Sequence, residues 1–360
     1  MKATYQRYLL NFKRPSGTSR GVLTEKETWF LKLTDNGKTG YGECGILRGL
    51  SVDDRPDFET TLMWLCENID AGEAYLKNRL QEFPSIVFGL EMALKSLKSK
   101  NKFELFPSDF TKGKASIPIN GLIWMGEKQF MKQQIQDKID QGFSCIKLKI
   151  GAIDFEREIE LLNYIRTQFS ADKVELRVDA NGAFQPKNAL EKLKRLSELN
   201  LHSIEQPIAA NQWEEMAGLC AKTPLPIALD EELIGVFDRK TKEDLLKTIK
   251  PQYIILKPSL VGGIDASQEW IDLAEGQNVK WWITSALESN IGLNALAQWT
   301  FNLNCTMPQG LGTGSLFTNN IPSPLEVKGE FLNYSPNKKW QTDSGRRCSK
   351  IGLGTGSSLR

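Results

Sequence analysis

An apolar run, Thr28-Trp29-Phe30-Leu31-Lys32-Leu33, and a shorter run around an aromatic residue, Thr39-Gly40-Tyr41-Gly42-Glu43, flank a polar stretch. That pattern predicts two strands, and Asp35-Asn36-Gly37 between them is the signature of a tight hairpin turn. The spacing then becomes that of a helix. Leu62, Leu65 and Ile69 share one face of a helix predicted over Asp57 to Leu80. A second helix starts at Pro84, a residue suited to a first turn, and runs through Val87, Leu90, Met92, Leu94 and Leu97. Strands followed by helices predict a small α+β unit over residues 1–112.

From about residue 115 short apolar runs alternate with amphipathic helices. The runs are Ser116–Trp124, Cys145–Ile150, Val174–Asp179, Ser203–Ile208, Pro226–Asp230, Tyr253–Pro258 and Lys280–Ala286. Between them, Met131, Ile135 and Ile139 form a helical stripe that Gly142 should terminate. Phe155, Ile159, Leu162, Ile165 and Phe169 form another, and Ala266, Trp270, Leu273 and Ala274 a third behind Asp265 as N-cap. Seven strands separated by helices predict a parallel sheet, and runs this continuous predict one covered on both faces. A (β/α) barrel over 113–320, with an irregular eighth strand near Thr306–Thr313, is preferred to a doubly wound open sheet. In the tail, 321–360, Leu325–Lys328 and Glu330–Tyr334 read as strands returning to the first unit. Gly-Leu-Gly-Thr-Gly occurs at 310–314 and again at 352–356, and residues 349–360 are expected to be a disordered extension.

Composition narrows the chemistry. Lys+Arg 46 against Asp+Glu 44 leaves a net charge of +2 in 360 residues, with no electrostatic footprint for nucleic acid or an anionic membrane. No run approaches the ~20 apolar residues of a membrane span, and Met1–Tyr5 opens no signal-like apolar stretch. The six cysteines are scattered without a Cys-x-x-Cys pair, so a reducing, cytoplasmic setting is expected. The single histidine, His202, excludes zincin-type and His–His sites and reads as a residue at the start of a strand. The chemistry falls to Lys, Asp, Glu and a metal.

Those residue types recur at the strand ends. Lys147 and Lys149 close the second run, Asp179-Ala180-Asn181 the third, Glu205-Gln206-Pro207 the fourth, Asp230-Glu231 the fifth and Lys257-Pro258 the sixth. From Lys149 through Asp179, Glu205 and Asp230 to Lys257 the intervals are 30, 26, 25 and 27 residues, one charge per βα unit. In a barrel this places them all on the C-terminal rim, where barrels carry their active sites. Burying so many charges among apolar runs is costly unless they act on something. Two lysines two apart on a strand point the same way, roughly 7 Å apart. Three carboxylates on adjacent strands repel unless a cation sits between them, and all-oxygen ligation suits Mg2+. A lysine beside another cation loses basicity and becomes a usable general base. A metal flanked by lysines suits removal of a proton from the carbon beside a carboxylate.

These motifs, Lys147-x-Lys149, Asp179-x-Asn181, Glu205-Gln206-Pro207, Asp230-Glu231 and Lys257-Pro258, resemble the muconate-lactonizing subgroup of the enolase superfamily in order and spacing. The likeness covers nearly the whole chain and implies a modified (β/α)7β barrel with an α+β capping domain. Ser285–Leu293 and Gly310–Phe317 are most similar to the o-succinylbenzoate synthase family. That resemblance implies dehydration of 2-succinyl-6-hydroxy-2,4-cyclohexadiene-1-carboxylate to 2-succinylbenzoate in menaquinone synthesis. It further implies Lys149 as base and then acid, Lys257 stabilising the enediolate, and Lys147 tuning Lys149. Asp179, Glu205 and Asp230 would hold Mg2+, with Mn2+ a substitute. Loops at Ser16–Gly21 and Cys44–Leu50 should cover the site, and Asn181, Gly262, Ser285 and Gly312 are the candidates for gripping substrate. N-acylamino-acid racemases, dipeptide epimerases and muconate cycloisomerases of the same subgroup share the lysines and carboxylates. The epimerases' Asp-x-Asp pair has no counterpart here, since no Asp lies between Asp272 and Asp343. A Schiff-base lysine aldolase and a non-catalytic binding barrel are the rivals outside the subgroup. The expected partner is a small carboxylate substrate, and the oligomeric state stays open.

Overall fold

The computed structural model describes residues 1–18 and 21–341, and the repeated tail string lies outside them. Three antiparallel strands come first: β1 (Lys2–Thr18), β2 (Gly21–Asp35) and β3 (Lys38–Gly45). The β2–β3 hairpin forms where expected, because Asn36 and Gly37 accept φ of +47° and +76°. β1 has no counterpart among the predicted elements. About half of its side chains are exposed, and its packed residues change face partway along, from Ala3 and Tyr5 on the capping helices' cluster to Tyr8, Leu10 and Phe12 on another, so no single alternation runs through it.

The long helix expected over Asp57–Leu80 is broken. It becomes α1 (Phe58–Glu67), a single turn at Ile69–Ala71 and α2 (Glu73–Arg79). Gly72, at φ +96°, cannot continue a helix, and the apolar spacing alone did not reveal the break. α3 (Pro84–Lys98) has Pro at its first turn as predicted. It lies directly on the sheet: a Cβ on Gly42 would come within 1.9 Å of the Gly89 carbonyl oxygen.

The second half alternates strand and helix. In order these are β4 (Ile117–Pro118), β5 (Gly121–Ile123), α4 (Lys128–Asp140), β6 (Cys145–Lys149), α5 (Phe155–Gln168), β7 (Glu175–Asp179), α6 (Pro186–Ser197) and β8 (Ser203–Glu205). Then come α7 (Trp213–Lys222), β9 (Ile227–Leu229), α8 (Arg239–Ile249), β10 (Tyr253–Leu256), α9 (Pro258–Val261), α10 (Gly263–Glu275), β11 (Lys280–Ile283) and α11 (Asn290–Asn302). β5 to β11 form one curled parallel sheet in chain order. The predicted first run is split, since only its second half, β5, joins that sheet. α4 ends as Gly142 foretold: Gly142 takes φ +84°, with Gly142 N–H donating to Ile139 and Phe143 N–H to Lys138. The N-cap expected at Asp265 is displaced, because Gly262 caps α10 and Asp265 lies within its first turn.

The irregular eighth strand reduces to Gln309 and Gly310, which bridge Ile119 on one side and Thr284 on the other. Their backbone groups bond Pro118, Asn120, Ile283 and Ser285, linking the first and last strands of the ring. Of the tail strands, β12 (Leu325–Lys328) pairs with β13 (Phe331–Tyr334) and β13 with β4, not with the N-terminal sheet. The contact back to that sheet is made earlier, by Leu316–Asn319 against Leu9–Lys13.

Two apolar clusters separate the halves. One joins Trp29, Leu31 and Leu33 to Leu62, Leu65, Ile86 and Leu90, and the other fills the barrel and its helix layer. Buried carboxylates fasten them together: Glu43 of β3 accepts from the first turn of α11, and Glu91 of α3 from the start of α10. Among the described residues no helix is long and apolar enough to cross a membrane. The five described cysteines are free thiols.

Candidate active site

Strand register gathers the charges. Lys149 pairs with Asp179 and Asp179 with Glu205, so one row across β6, β7 and β8 carries an ammonium and two carboxylates. Asp230 and Lys257 follow β9 and β10 at the same end of the sheet. All five predicted strand-end charges, with Lys147 beside them, therefore meet.

The ammonium of Lys149 donates to Asp179 Oδ2 at 2.6 Å and to Asn181 Oδ1 at 2.9 Å. Lys147 lies 2.9 Å from Asp179 and bonds Glu205. Lys257 bonds Asp230 and stands 3.7 Å from Glu205 Oε1. Burial opposes ionisation of Asp179, but Lys147 and Lys149 outweigh it and hold the carboxyl well below its usual range. Burial likewise opposes ionisation of Asp230, and Lys257 lowers it. Glu205 goes the other way: burial and the neighbouring Asp179 push it up to about 8. Burial would lower Lys147 and Lys257, yet the carboxylates raise both.

Among the described residues no three acidic groups close around one point, because each is drawn to a lysine. The donor set nevertheless fits a hard divalent cation. It is three buried carboxylates, and Glu205 Oε1 is buried without a hydrogen-bond partner. Lys147 and Lys257 occupy oxygens of these same carboxyl groups, so a bound cation would compete directly with them.

Loop geometry explains the motif residues that are not charged. Asn181 sits at φ +45°, donates to Glu231 at 2.9 Å and accepts from Lys149, so it orients the lysine. Gln206 is fully buried at φ +38°. It accepts from the Asp230 N–H at 3.1 Å and donates to Glu232, tying the end of β8 to that of β9.

A cavity of about 580 Å³ opens over the lysines, a volume typical of small-molecule sites. Leu47, Leu50, Trp124 and Leu287 give it apolar walls. Leu47 and Leu50 come from the Cys44–Leu50 loop, as expected of a cover, while Cys44 itself is buried in the capping core. The cover expected at Ser16–Gly21 is mostly strand: β1 runs to Thr18, and Gly17 pairs with Met125 beside Trp124. Gly312 lines the cavity. Ser285 lines it too, but its hydroxyl is engaged by Glu288, Thr313 and the Leu287 N–H. Gly262 does not line it. It takes φ +107° at the α9–α10 joint, and beside it a Cβ on Gly263 would strike Glu91 at 2.4 Å. A glycine signal alone cannot separate a chain joint from a ligand contact. Thr313 and Glu288 were not singled out, although both lie in segments read as family-like. His202 lies at the opposite end of β8, bonding Ser203 and packing on Tyr253, away from the lysines.

Residues 130–336 match the family described as enolase C-terminal domain-like, and residues 1–97 match the MenC N-terminal domain family. The o-succinylbenzoate synthase of Desulfotalea psychrophila is 50% identical over 93% of this chain and 99% of its own. The crystal structure of MenC from that organism superposes with a TM-score of 0.83 at 47% identity, covering 92% of this chain and 99% of the other. A dipeptide epimerase from Enterococcus faecalis, solved with Mg and the dipeptide L-Leu-L-Tyr, shares the fold at a TM-score of 0.80 and 19% identity, over 92% and 96% of the two chains. With its own row of lysines and carboxylates at the barrel rim, the chain belongs to the enolase superfamily, whose membership implies a divalent metal at this site.

Proposed function

We propose that this chain is an o-succinylbenzoate synthase, a Mg2+-dependent hydro-lyase of menaquinone synthesis acting in the cytoplasm on 2-succinyl-6-hydroxy-2,4-cyclohexadiene-1-carboxylate. The observation that carries the reading is the 50% identity to such a synthase along nearly the full length of both chains, with both lysines and all three carboxylates in place. The absence of any Asp between Asp272 and Asp343 argues against the dipeptide epimerases. We place the capping unit at residues 1–112 and the barrel at 113–320; the cluster from Trp29 to Leu94 supports a separate first unit, although Phe103, Leu105 and Phe110 pack into the barrel cluster.

Asp179, Glu205 and Asp230 would hold the cation. When bound, it supplies a Lewis acid that polarises the substrate carboxylate and offsets negative charge developing there. Neutral Lys149 takes the proton from the carbon bearing that carboxylate, and the C–H electron pair moves into an enediolate. Asn181 aims the Lys149 nitrogen during this step. The Lys257 ammonium, buried on the far side of the carboxylates, stabilises the enediolate by its charge. The proton now on Lys149 passes to the departing hydroxyl. The C–O bond breaks, water leaves, and the electron pair closes an aromatic ring. Leu47, Leu50 and Trp124 keep bulk water away from the intermediate.

Mixing purified protein with the cyclohexadiene acid and Mg2+ should abolish the diene absorbance, and EDTA should stop the loss. Persisting absorbance, with divalent binding intact, would refute the assignment and redirect it to racemisation of N-acylamino acids or to cycloisomerisation.

A further inference from the structure

Ser285 and Thr313 line the cavity between β11 and the Gly310–Gly314 segment, and behind them lie Glu288 and, on α9, Ser259, four buried polar groups outside the lysine–carboxylate cluster. Glu288 is 1% exposed, Ser259 0%, Ser285 4% and Thr313 7%. Ser259 Oγ donates to Glu288 Oε1 and Ser285 Oγ to Glu288 Oε2, each at 2.6 Å. The Thr313 hydroxyl lies 2.9 Å from Ser285 Oγ, and the Leu287 N–H donates to the same oxygen at 3.0 Å.

Counting protons fixes the direction of this chain. A carboxylate only accepts, so the single Ser285 proton goes to Glu288. The Ser285 oxygen has two lone pairs, and the Leu287 N–H and the Thr313 hydroxyl fill both. Ser285 therefore has nothing left to offer a ligand. Thr313 has spent its only proton on Ser285 and retains two lone pairs in a residue that lines the cavity. The Thr313 oxygen meets a ligand as a hydrogen-bond acceptor. It suits an O–H and is mismatched to a carboxylate or a carbonyl.

We propose that Glu288 is a positioning residue: through Ser285 it holds Thr313 as an acceptor, and Thr313 selects substrate by its ring hydroxyl. This rests on the synthase reading above. On the ionised cyclohexadiene acid that hydroxyl is the only hydrogen-bond donor. Giving its proton to Thr313 leaves both lone pairs of the leaving oxygen open to the acid.

Glu288→Gln reverses the relay. The arrangement that strands fewest protons has the Gln carbonyl accept from Ser259 and one N–H of its NH2 donate to Ser285. Ser285 then donates to Thr313, and Thr313 turns its proton into the cavity. Steady-state kinetics with the cyclohexadiene acid and Mg2+, together with product inhibition by 2-succinylbenzoate, test this. KM should rise about five- to tenfold in E288Q with little change in kcat, the loss of one hydrogen bond made equally before and in the transition state. The inhibition constant of the product, which has no ring hydroxyl, should move less than twofold. Thr313→Val should raise KM by the same factor, and Thr313→Ser should restore it. Adding E288Q to T313V should cost nothing more, because the two act through one contact. The proposal is overturned if E288Q raises KM equally on the T313V background, if product affinity falls with KM, or if KM is unchanged. Should E288Q fail to fold, T313V beside T313S decides, and an unchanged KM in T313V refutes the role. A wild type that leaves the diene untouched refutes the synthase reading, and this inference with it. An active wild type without the coupling refutes only the inference.

Discussion

Replacing Glu43 by Ala removes the carboxylate that joins the capping sheet to the barrel. Glu43 is completely buried on β3. Its Oε1 accepts from the Ser289 N–H at 2.8 Å and from Thr28 Oγ1 at 3.0 Å, and its Oε2 from Ser289 Oγ at 2.5 Å and the Gly292 N–H at 2.8 Å. The Thr28 hydroxyl has a second acceptor in the Cys44 carbonyl at 3.3 Å and can turn to it. The two backbone N–H groups cannot turn. Each is stranded at a cost of roughly 1–3 kcal/mol, so the pair costs about 4 kcal/mol. Loss of a negative charge at the start of α11 acts in the same direction. Urea unfolding of wild type and Glu43→Ala should show a loss of about that size. Asp109→Ala, at an exposed ion pair with Lys112, should stay within about 0.5 kcal/mol. Hydrogen exchange should localise the damage to the amides of Ser289 and Gly292. Because the segment before α11 forms the cavity wall at Ser285–Leu287, KM should rise as well. A stability loss below about 1 kcal/mol, with those two amides as protected as in the wild type, would show that the capping sheet is held by other contacts.

Three further outcomes are expected. Lys149→Ala should lower kcat by about 10²–10⁴ while the circular dichroism spectrum and melting temperature stay close to wild type, and retained turnover would remove Lys149 as the base. Asp230→Asn should weaken Mg2+ binding at least tenfold by calorimetry, because it deletes a charged oxygen donor, and unchanged affinity would move the metal elsewhere. Asp53 is pushed up to about 6 by burial against bonds from Ser85, so the folded state holds its proton more tightly than the unfolded chain. Its contribution is fully present below the unfolded value near 4 and is lost as pH rises through 6, a change of roughly 2–3 kcal/mol. Asp53→Asn should flatten that part of the stability–pH curve, and an undiminished slope would assign it to other groups.

The local patterns that proved legible share one property: a single element suffices to express them. Gly142 ends α4 and Asn36-Gly37 turns the hairpin because their φ values are fixed by chain geometry alone. The strand-end lysines and carboxylates were legible because a βα repeat places the ends of successive parallel strands on one rim, so spacing along the chain becomes position in space. β1 escaped because its apolar residues change face partway along, from Ala3 and Tyr5 to Tyr8, Leu10 and Phe12, and the break at Gly72 escaped because apolar spacing carries across it.

Other features exist only in three dimensions. Gly262 and Gly312 look alike in the chain, yet one is a helix joint and the other a cavity wall, and only the packing of α3 and of the segment after Asn302 separates them. Ser285 reads as a free hydroxyl until Glu288, Thr313 and the Leu287 N–H are counted around it. By itself the sequence determined which ionisable groups share the barrel rim, because strand alternation and repeat length are properties of neighbouring residues. Which lysine faces which carboxylate, where the capping sheet is pinned, and whether the wall accepts or donates were decided by the tertiary structure, because hydrogen bonds and burial depend on residues brought together from far along the chain.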